Sequence, residues 1–404
     1  MTKHQIIIVG GGAAGIATAS SLLSRDASLD IAIIEPSDQH FYQPGWTMVG
    51  AGIFTKGQTV RSTDSAWPRG IKRIKGAVAT FSPDKNNVIL EDGSEVLYEY
   101  LVVAAGLKLD WGAIEGLENT LGKNGVTSNY RFDLAPYTWE LVQKMQGKTA
   151  IFTQPPMPIK CAGAPQKAMY LSCDAWLKAG KLSGIEVSFC NAGPVLFGCA
   201  PYVPPLMEYV KKYDISLDFG HNLVKIDGPN RKAWFKVTKD GEDSQIVERK
   251  FDMIHVCPPQ CAPDFIKDSS LSGAGGWVDV DQATLQHTAY ENVFGLGDVT
   301  STPNAKTVAA ARKQAPIVAQ NLIAKIKGQS LAPLYDGYGS CPLTVENGKI
   351  ILAEFGYGGK VMPTFPWDST KPRRAAWFLK KSILPWVYWN VMLKGREWLT
   401  KTTA

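Results

Sequence analysis

Gln5-Ile6-Ile7-Ile8-Val9-Gly10-Gly11-Gly12-Ala13-Ala14-Gly15 is the stretch that decides the fold. The β-branched run at 5–9 reads as a buried strand, the turn after it satisfies G-x-G-x-x-G, and 16–23 reads as a helix. A second strand at 31–34 ends at Glu35, twenty residues beyond Gly15. This order is the dinucleotide-binding unit of a Rossmann-like α/β fold. Gly10 permits the tight turn, and Gly12 lets the backbone approach a pyrophosphate, with Ala13 and Ala14 completing the cofactor-binding turn beside it. Gly15 lets helix and strand pack closely, and Glu35 can accept hydrogen bonds from ribose hydroxyls.

The rest of the chain sets the frame around that unit. Its 404 residues suit two or three domains, and 45% hydrophobic with 20% charged residues excludes a disordered or fibrous polymer. No apolar run approaches the roughly 18 residues that cross a bilayer, and the N-terminus enters the fold motif directly, so neither a spanning helix nor a secretory leader is expected. The net charge of +6 is uneven. Positions 371–404 hold Lys371, Arg373, Arg374, Lys380, Lys381, Lys394, Arg396 and Lys401 against Glu397, a net +7 that leaves −1 for the remainder. That distribution excludes a nucleic-acid groove spread over the body and points to one acidic or membrane-like partner for the tail. Seven cysteines, an odd number, argue against a fully paired secreted disulfide framework.

Further along, Tyr100-Leu101-Val102-Val103-Ala104-Ala105-Gly106 and Val293-Phe294-Gly295-Leu296-Gly297-Asp298 read as buried strands ending in small residues, and 307–327 reads as a long helix. A second α/β unit begins near Lys148, with strands at 149–153 and 186–190 around a helix at 166–178. The loop where a nicotinamide fingerprint would stand contains Pro155, Pro156 and Pro158, which remove backbone donors a pyrophosphate needs. It contains Cys161 instead.

The 100–106 and 293–298 segments resemble those of two-dinucleotide-binding-domain flavoproteins, which implies FAD, with Asp298 toward the ribityl chain. The resemblance narrows with Lys160-Cys161-Ala162-Gly163-Ala164-Pro165-Gln166-Lys167, Tyr335-Asp336-Gly337-Tyr338-Gly339-Ser340-Cys341, His40-Phe41-Tyr42-Gln43-Pro44, and Gly297-Asp298 through Lys306-Thr307. Together these are similar to sulfide:quinone oxidoreductases of the type II group, over essentially the whole chain. No third cysteine stands at 111–145, unlike type I enzymes. The resemblance implies that Cys161 and Cys341, bridged directly or through an extra sulfur, accept hydrosulfide, with Cys161 facing the flavin and Cys341 keeping the persulfide. It adds Gln43, Val78, Ala105, Gly106, Gly297, Lys306, Thr307 and Val308 to the FAD shell. Lys160, adjacent to Cys161, is the expected source of a lowered thiolate pKa. Both cysteines are expected in Gly/Pro loops. Cys173, Cys190, Cys199, Cys257 and Cys261 read as structural, Cys257 and Cys261 lack a matching pair for zinc, and His4, His40, His221, His255 and His287 lack ligand spacing.

A quinone is the implied electron acceptor, with Phe355, Tyr357 and Lys360 as candidates to line its slot. In the tail, Trp377, Phe378, Leu379, Ile383, Leu384, Trp386, Val387, Trp389, Val391, Met392, Leu393, Trp398 and Leu399 alternate with the cations, and Pro385 is expected to split two short helices of an interfacial amphipathic anchor. The expected layout is an FAD-binding domain in two parts, 1–110 and 275–335, a second Rossmann-like domain at 111–274, and a C-terminal region at 336–404. Implied partners are hydrogen sulfide, ubiquinone or another membrane quinone, and a sulfur acceptor such as glutathione, sulfite, coenzyme A or sulfide. The implied place is the surface of a bacterial plasma membrane or the mitochondrial inner membrane, and a homo-oligomer stays open. Three rivals remain: a type 2 NADH:quinone oxidoreductase, a soluble sulfide dehydrogenase serving a cytochrome subunit, and a non-catalytic flavin-containing redox sensor or scaffold.

Overall fold

The computed structural model describes residues 2–238, 243–398 and 400; Leu399 and Lys401 of the tail lie outside these. The first strand is longer than expected, Thr2–Val9, and lies parallel between Ile31–Ile34 and Glu95–Val103. Lys72–Ile74 extends the sheet beyond Ile31–Ile34, and Val293–Gly295 pairs parallel with the second half of Glu95–Val103. Ile6, Ile7 and Ile8 are all fully buried, because a parallel sheet covered on both faces wants apolar residues at every position. Asn87–Leu90 and Val78–Ser82 finish the other edge antiparallel. Helix Ala13–Arg25, reaching further at both ends than its periodicity predicts, packs beside helix Val308–Ile326 on this sheet.

A second sheet holds five parallel strands in the order Val126–Thr127, Met253–His255, Thr149–Gln154, Glu186–Asn191 and Ile215–Phe219. Helix Ala164–Lys178 connects the third and fourth of these and is buried along most of its length. The chain is thus a mixed α/β protein with two Rossmann-like units.

Gly339–Glu346 and Lys349–Phe355 form an antiparallel hairpin in which Cys341 lies opposite Ala353 and Ser340 opposite Glu354. Cys341 therefore sits in a strand and not in a loop; its Gly/Pro neighbours are the strand's first residues. Side chains alternate across a strand, and here the two faces have different neighbours. Cys341, Leu343, Val345, Ile351 and Ala353 join the core around helix Ala164–Lys178. Ser340, Pro342, Leu352 and Glu354 face a large cavity.

The tail departs from expectation in two respects. Arg374–Phe378, Leu379–Ile383 and Leu384–Asn390 follow one another without a break, so Pro385 does not split them. Leu384 N donates to Leu379 O, five residues back, in one wide π turn. Pro385 then falls in the first turn of the next segment, where no N–H is needed. Moreover the tail's apolar side does not all face outward. Tyr388, Trp389, Met392 and Leu393 enter the core of the first unit, Ser20 Oγ donates to Leu393 O at 2.9 Å, and Arg25 Nη2 donates to Glu397 Oε2 at 2.8 Å. Phe378, Trp386 and Trp398 stay more than half exposed. Among the described residues no helix is long and apolar enough to cross a membrane.

Candidate active site

The glycine turn has the shape its sequence requires. Gly10 sits at φ +104°, and a side chain at Gly15 would put Cβ 1.9 Å from Gly10 O. Gly12 and Gly106 open onto free space. Glu35 Oε2 accepts from Gly11 N at 2.7 Å and Oε1 from Ser37 N at 2.7 Å, so the carboxylate is fixed beside the turn. No side chain caps helix Ala13–Arg25, which leaves its first N–H groups to an anion. His40, expected as a surface or core histidine, is buried and bridges Gly11 O (3.2 Å) to the hydroxyl of Tyr388 (2.6 Å), tying the turn to the tail.

At the carboxyl ends of the same sheet, Ala104 N donates to Val9 O, carrying Ala105 and Gly106 past the turn. Gly297 N donates to Gln314 Oε1 at 2.8 Å, and Asp298 follows on the cavity wall. Burial raises the Asp298 carboxyl above its usual range, with Lys306 and Lys160 opposing, and no side chain hydrogen-bonds it among the described residues. Thr307 caps helix Val308–Ile326, accepting from Ala310 N at 3.2 Å. Lys306 Nζ donates to Asp298 O and Thr300 O, and burial pulls it down to about 8. Trp46 Nε1, Thr47 Oγ1 and both amide atoms of Asn129 are buried on the cavity wall without partners. Buried polar groups are normally paired, so these orphans, the unobstructed Gly12 and the unpartnered Asp298 fit a bound FAD. Val78 stands apart, buried in the edge strand Val78–Ser82.

Cys161 Sγ and Cys341 Sγ, 180 positions apart in the chain, meet at 3.4 Å. That exceeds a covalent bond of about 2.05 Å and is the distance of a thiol hydrogen bond. Cys161 N donates to Lys306 O at 2.8 Å, which pins the sulfur loop to the segment leading into helix Val308–Ile326. Cys161 holds φ +50°, a conformation of low population outside glycine and one typical of functional positions. Gly163 is required by the close approach: a Cβ there would lie 2.5 Å from Cys341 Sγ and 2.3 Å from Leu343 Cδ2.

The cation at the sulfurs is Lys167 and not Lys160. Lys167 is buried in the first turn of helix Ala164–Lys178, with Nζ 3.0 Å from Cys161 Sγ and 3.9 Å from Cys341 Sγ. Lys160 turns the other way, donating to Gln43 Oε1 at 2.7 Å and lying over the rings of Trp46 and Tyr130. Lys167, six residues on, is brought to the sulfur by the first turn of the helix, whereas adjacent Lys160 points away toward Gln43. The Cys341 thiol donates to the Cys161 sulfur, and this bond with the Lys167 charge holds Cys161 well below the usual thiol range despite burial. Cys341 is pushed up by the same bond and by burial. Burial works against the Lys167 charge, but the two sulfurs outweigh it. Cys190 and Cys257, by contrast, are pushed up to about 12, chiefly by burial. Lys380, carried in from the tail, donates to Pro44 O at 2.8 Å, and burial together with Lys167 pulls it down to about 7.

Phe355, Tyr357 and Lys360 do not line the cavity. Phe355 is on the same hairpin face as Cys341 and packs edge-on to Phe197. Tyr357 OH donates to Gln282 O, and Lys360 is exposed. Leu352 and Glu354, which the sequence did not single out, take that wall together with Leu379, Ile383 and Leu384, which it assigned to the amphipathic anchor.

A family model described as pyridine nucleotide-disulphide oxidoreductase matches residues 4–143. The chain is 44% identical over 402 residues to the mitochondrial sulfide:quinone oxidoreductase of Dictyostelium discoideum, covering 99% of this chain and 88% of that protein. It belongs to the sulfide:quinone oxidoreductase family. The mitochondrial member from Mus musculus is 39% identical over 392 residues, covering 97% of this chain and 87% of that protein. The solved family structure from Aquifex aeolicus has a TM-score of 0.79 at 20% identity, over 98% of this chain and 92% of that one, a likeness of fold.

Proposed function

We propose that this protein is an FAD-dependent enzyme that oxidises hydrogen sulfide to sulfane sulfur and passes the electrons to a membrane quinone. The observation that carries the reading is the Cys161–Cys341 contact at 3.4 Å with Lys167 Nζ beside it, at the mouth of the dinucleotide fold. With the two sulfurs oxidised, HS⁻ attacks Cys341 Sγ, the bond to Cys161 breaks, and Cys161 leaves as a thiolate. Low pKa makes a better leaving thiol, and the Lys167 ammonium, 3.0 Å from Cys161 Sγ and 3.9 Å from Cys341 Sγ, supports this direction. An acceptor then takes the outer sulfur from Cys341, and the two cysteines return to the oxidised state. FAD supplies the two-electron acceptor that joins this step to the quinone.

Gly10, Gly12, Ala13, Ala14 and Gly15 hold the pyrophosphate, Glu35 the ribose, and Ala105, Gly106, Gly297, Asp298, Lys306, Thr307 and Val308 the rest of the cofactor, with Gln43 set by Lys160. Lys160, Lys167 and Lys380 line the cavity together with Cys161, which favours anionic sulfur species, hydrosulfide and an acceptor such as sulfite or a thiolate. The quinone enters from lipid: Leu379, Ile383, Leu384 and Trp398 line the cavity while Phe378, Trp386 and Trp398 lie exposed on the same segment. Aromatic rings among cations suit the headgroup region of a membrane, and the mitochondrial relatives support a mitochondrial setting.

Anaerobic titration tests this reading. Sulfide bleaches the flavin and a short-chain quinone restores it, whereas NADH does neither. Cys161→Ser retains FAD but loses bleaching by sulfide; full turnover by that variant, or bleaching by NADH alone, sinks the assignment.

A further inference from the structure

The cavity wall carries one acid that the sulfur chemistry does not use. Glu354 is 3% exposed, and no salt bridge reaches it among the described residues. Its Oε1 accepts from Tyr338 OH and from Thr364 Oγ1, each at 2.5 Å, and its Oε2 accepts from Thr364 N at 3.0 Å. All three residues line the cavity, but Tyr338 is buried while Thr364 is open to solvent. A carboxyl group buried in the wall without a direct ion pair is costly unless hydrogen bonds offset it. Here those bonds form a continuous series of exchangeable protons from water to the cavity. The hairpin turns Glu354 to this side and Cys341 to the other, so the series serves the cavity rather than the core around Cys341. From helix Val308–Ile326, Arg312 also lines the cavity, and Lys313 lies 5.2 Å over the Tyr338 ring.

We propose that Tyr338, Glu354 and Thr364 conduct a solvent proton to the quinone as it is reduced. The inference rests on the reading that quinone occupies this cavity. A quinone becomes a quinol by gaining two electrons, which sulfide oxidation supplies, and two protons. One O–H bond forms at the ring oxygen facing Tyr338 as the phenol O–H breaks. The Thr364 hydroxyl passes its proton to the Glu354 carboxylate and takes another from water, and Glu354 hands its proton on to the phenolate oxygen. The second proton is the one that hydrosulfide loses, its S–H bond breaking, as its sulfur gives up the electron pair.

The test uses the full chain with FAD bound. Enzyme reduced anaerobically by sulfide is mixed either with a short-chain quinone, which needs protons, or with ferricyanide, which does not. Glu354→Gln and Tyr338→Phe are expected to slow flavin reoxidation by quinone roughly a hundredfold or more, within the range for lost general-acid help, and to leave the ferricyanide rate unchanged. Added formic acid buffer should restore part of the quinone rate in Glu354→Gln and do nothing for the parent. Should Glu354→Gln fail to keep its cofactor, Thr364→Val at the exposed end must show the same acceptor-specific loss. Equal slowing with both acceptors, or an unchanged quinone rate, overturns the proposal. A parent enzyme that quinone cannot reoxidise removes the underlying reading and the proposal with it, and is told apart by needing no variant.

Discussion

Replacing Lys167 by methionine removes an ammonium group 3.0 Å from Cys161 Sγ and leaves a side chain of similar length. A hydrogen bond to a charged group contributes about 1.5–3 kcal/mol, so sulfide-driven bleaching of the flavin should slow roughly ten- to a hundredfold. The Cys161 thiolate then forms only at higher pH, and the alkaline rise of the rate moves upward; Lys167→Arg recovers part of it. A pH profile that stays in place in the methionine variant rules this role out. Gly163→Ala acts by geometry: its Cβ would meet Cys341 Sγ at 2.5 Å. Overpacking of this kind costs about 1–3 kcal/mol. Sulfide oxidation should fall far more than the melting temperature, because the displaced atom is a reacting one. At this scale the sequence was legible where chemistry depends on residue type, as for Cys161 and Cys341. It was not legible for Lys167, six residues along in a helix, since which lysine faces the sulfur follows from how the loop folds over.

The tail divides into two groups of aromatic residues with different effects. Phe378, Trp386 and Trp398 are exposed, so replacing all three by serine should release the protein from anionic liposomes in a sedimentation assay and shift thermal melting little. Tyr388→Phe removes the hydroxyl at 2.6 Å from His40 Nε2 and leaves a buried imidazole nitrogen unpaired, at a cost of about 1–3 kcal/mol. It should leave liposome binding intact while weakening FAD retention, read as flavin lost on gel filtration. The converse pattern would mean that the buried ring is the anchor. The amphipathic composition of this segment was plain from sequence, but which of its rings turn inward depends on a helix more than 350 positions earlier, beyond the reach of periodicity.

Across the molecule, two buried imidazoles set an acid limit on stability. Burial lowers His40 and His255 from the ordinary 6.5 to about 4. In the unfolded chain both bind protons near 6.5, so between about 6.5 and 4 the unfolded state holds more protons, and stability falls as pH drops through that window. The loss is about 3 kcal/mol for each imidazole. Urea midpoints of the FAD-bound protein at pH 7.5 and 5.0 should show the decline, and His255→Gln should shrink it; a flat dependence would mean that neither imidazole is neutral. The parallel centre of the first sheet was readable from β-branched runs and a glycine turn, and two strands of the second from their apolar runs, since local sequence carries both signals. The quinone-side wall was not, because it is assembled from a hairpin, a helix and the tail.

The hairpin's alternation has a consequence for how this protein can vary. Sulfur handling and proton supply hang from odd and even positions of the same two strands. Inserting or deleting one residue in one arm would turn that arm over, sending Glu354 among the aliphatics or Cys341 into open space. Changes of length there are therefore survivable only in pairs, and sequences descended from this one should keep the parity of the count between Cys341 and Glu354, whatever residues fill it.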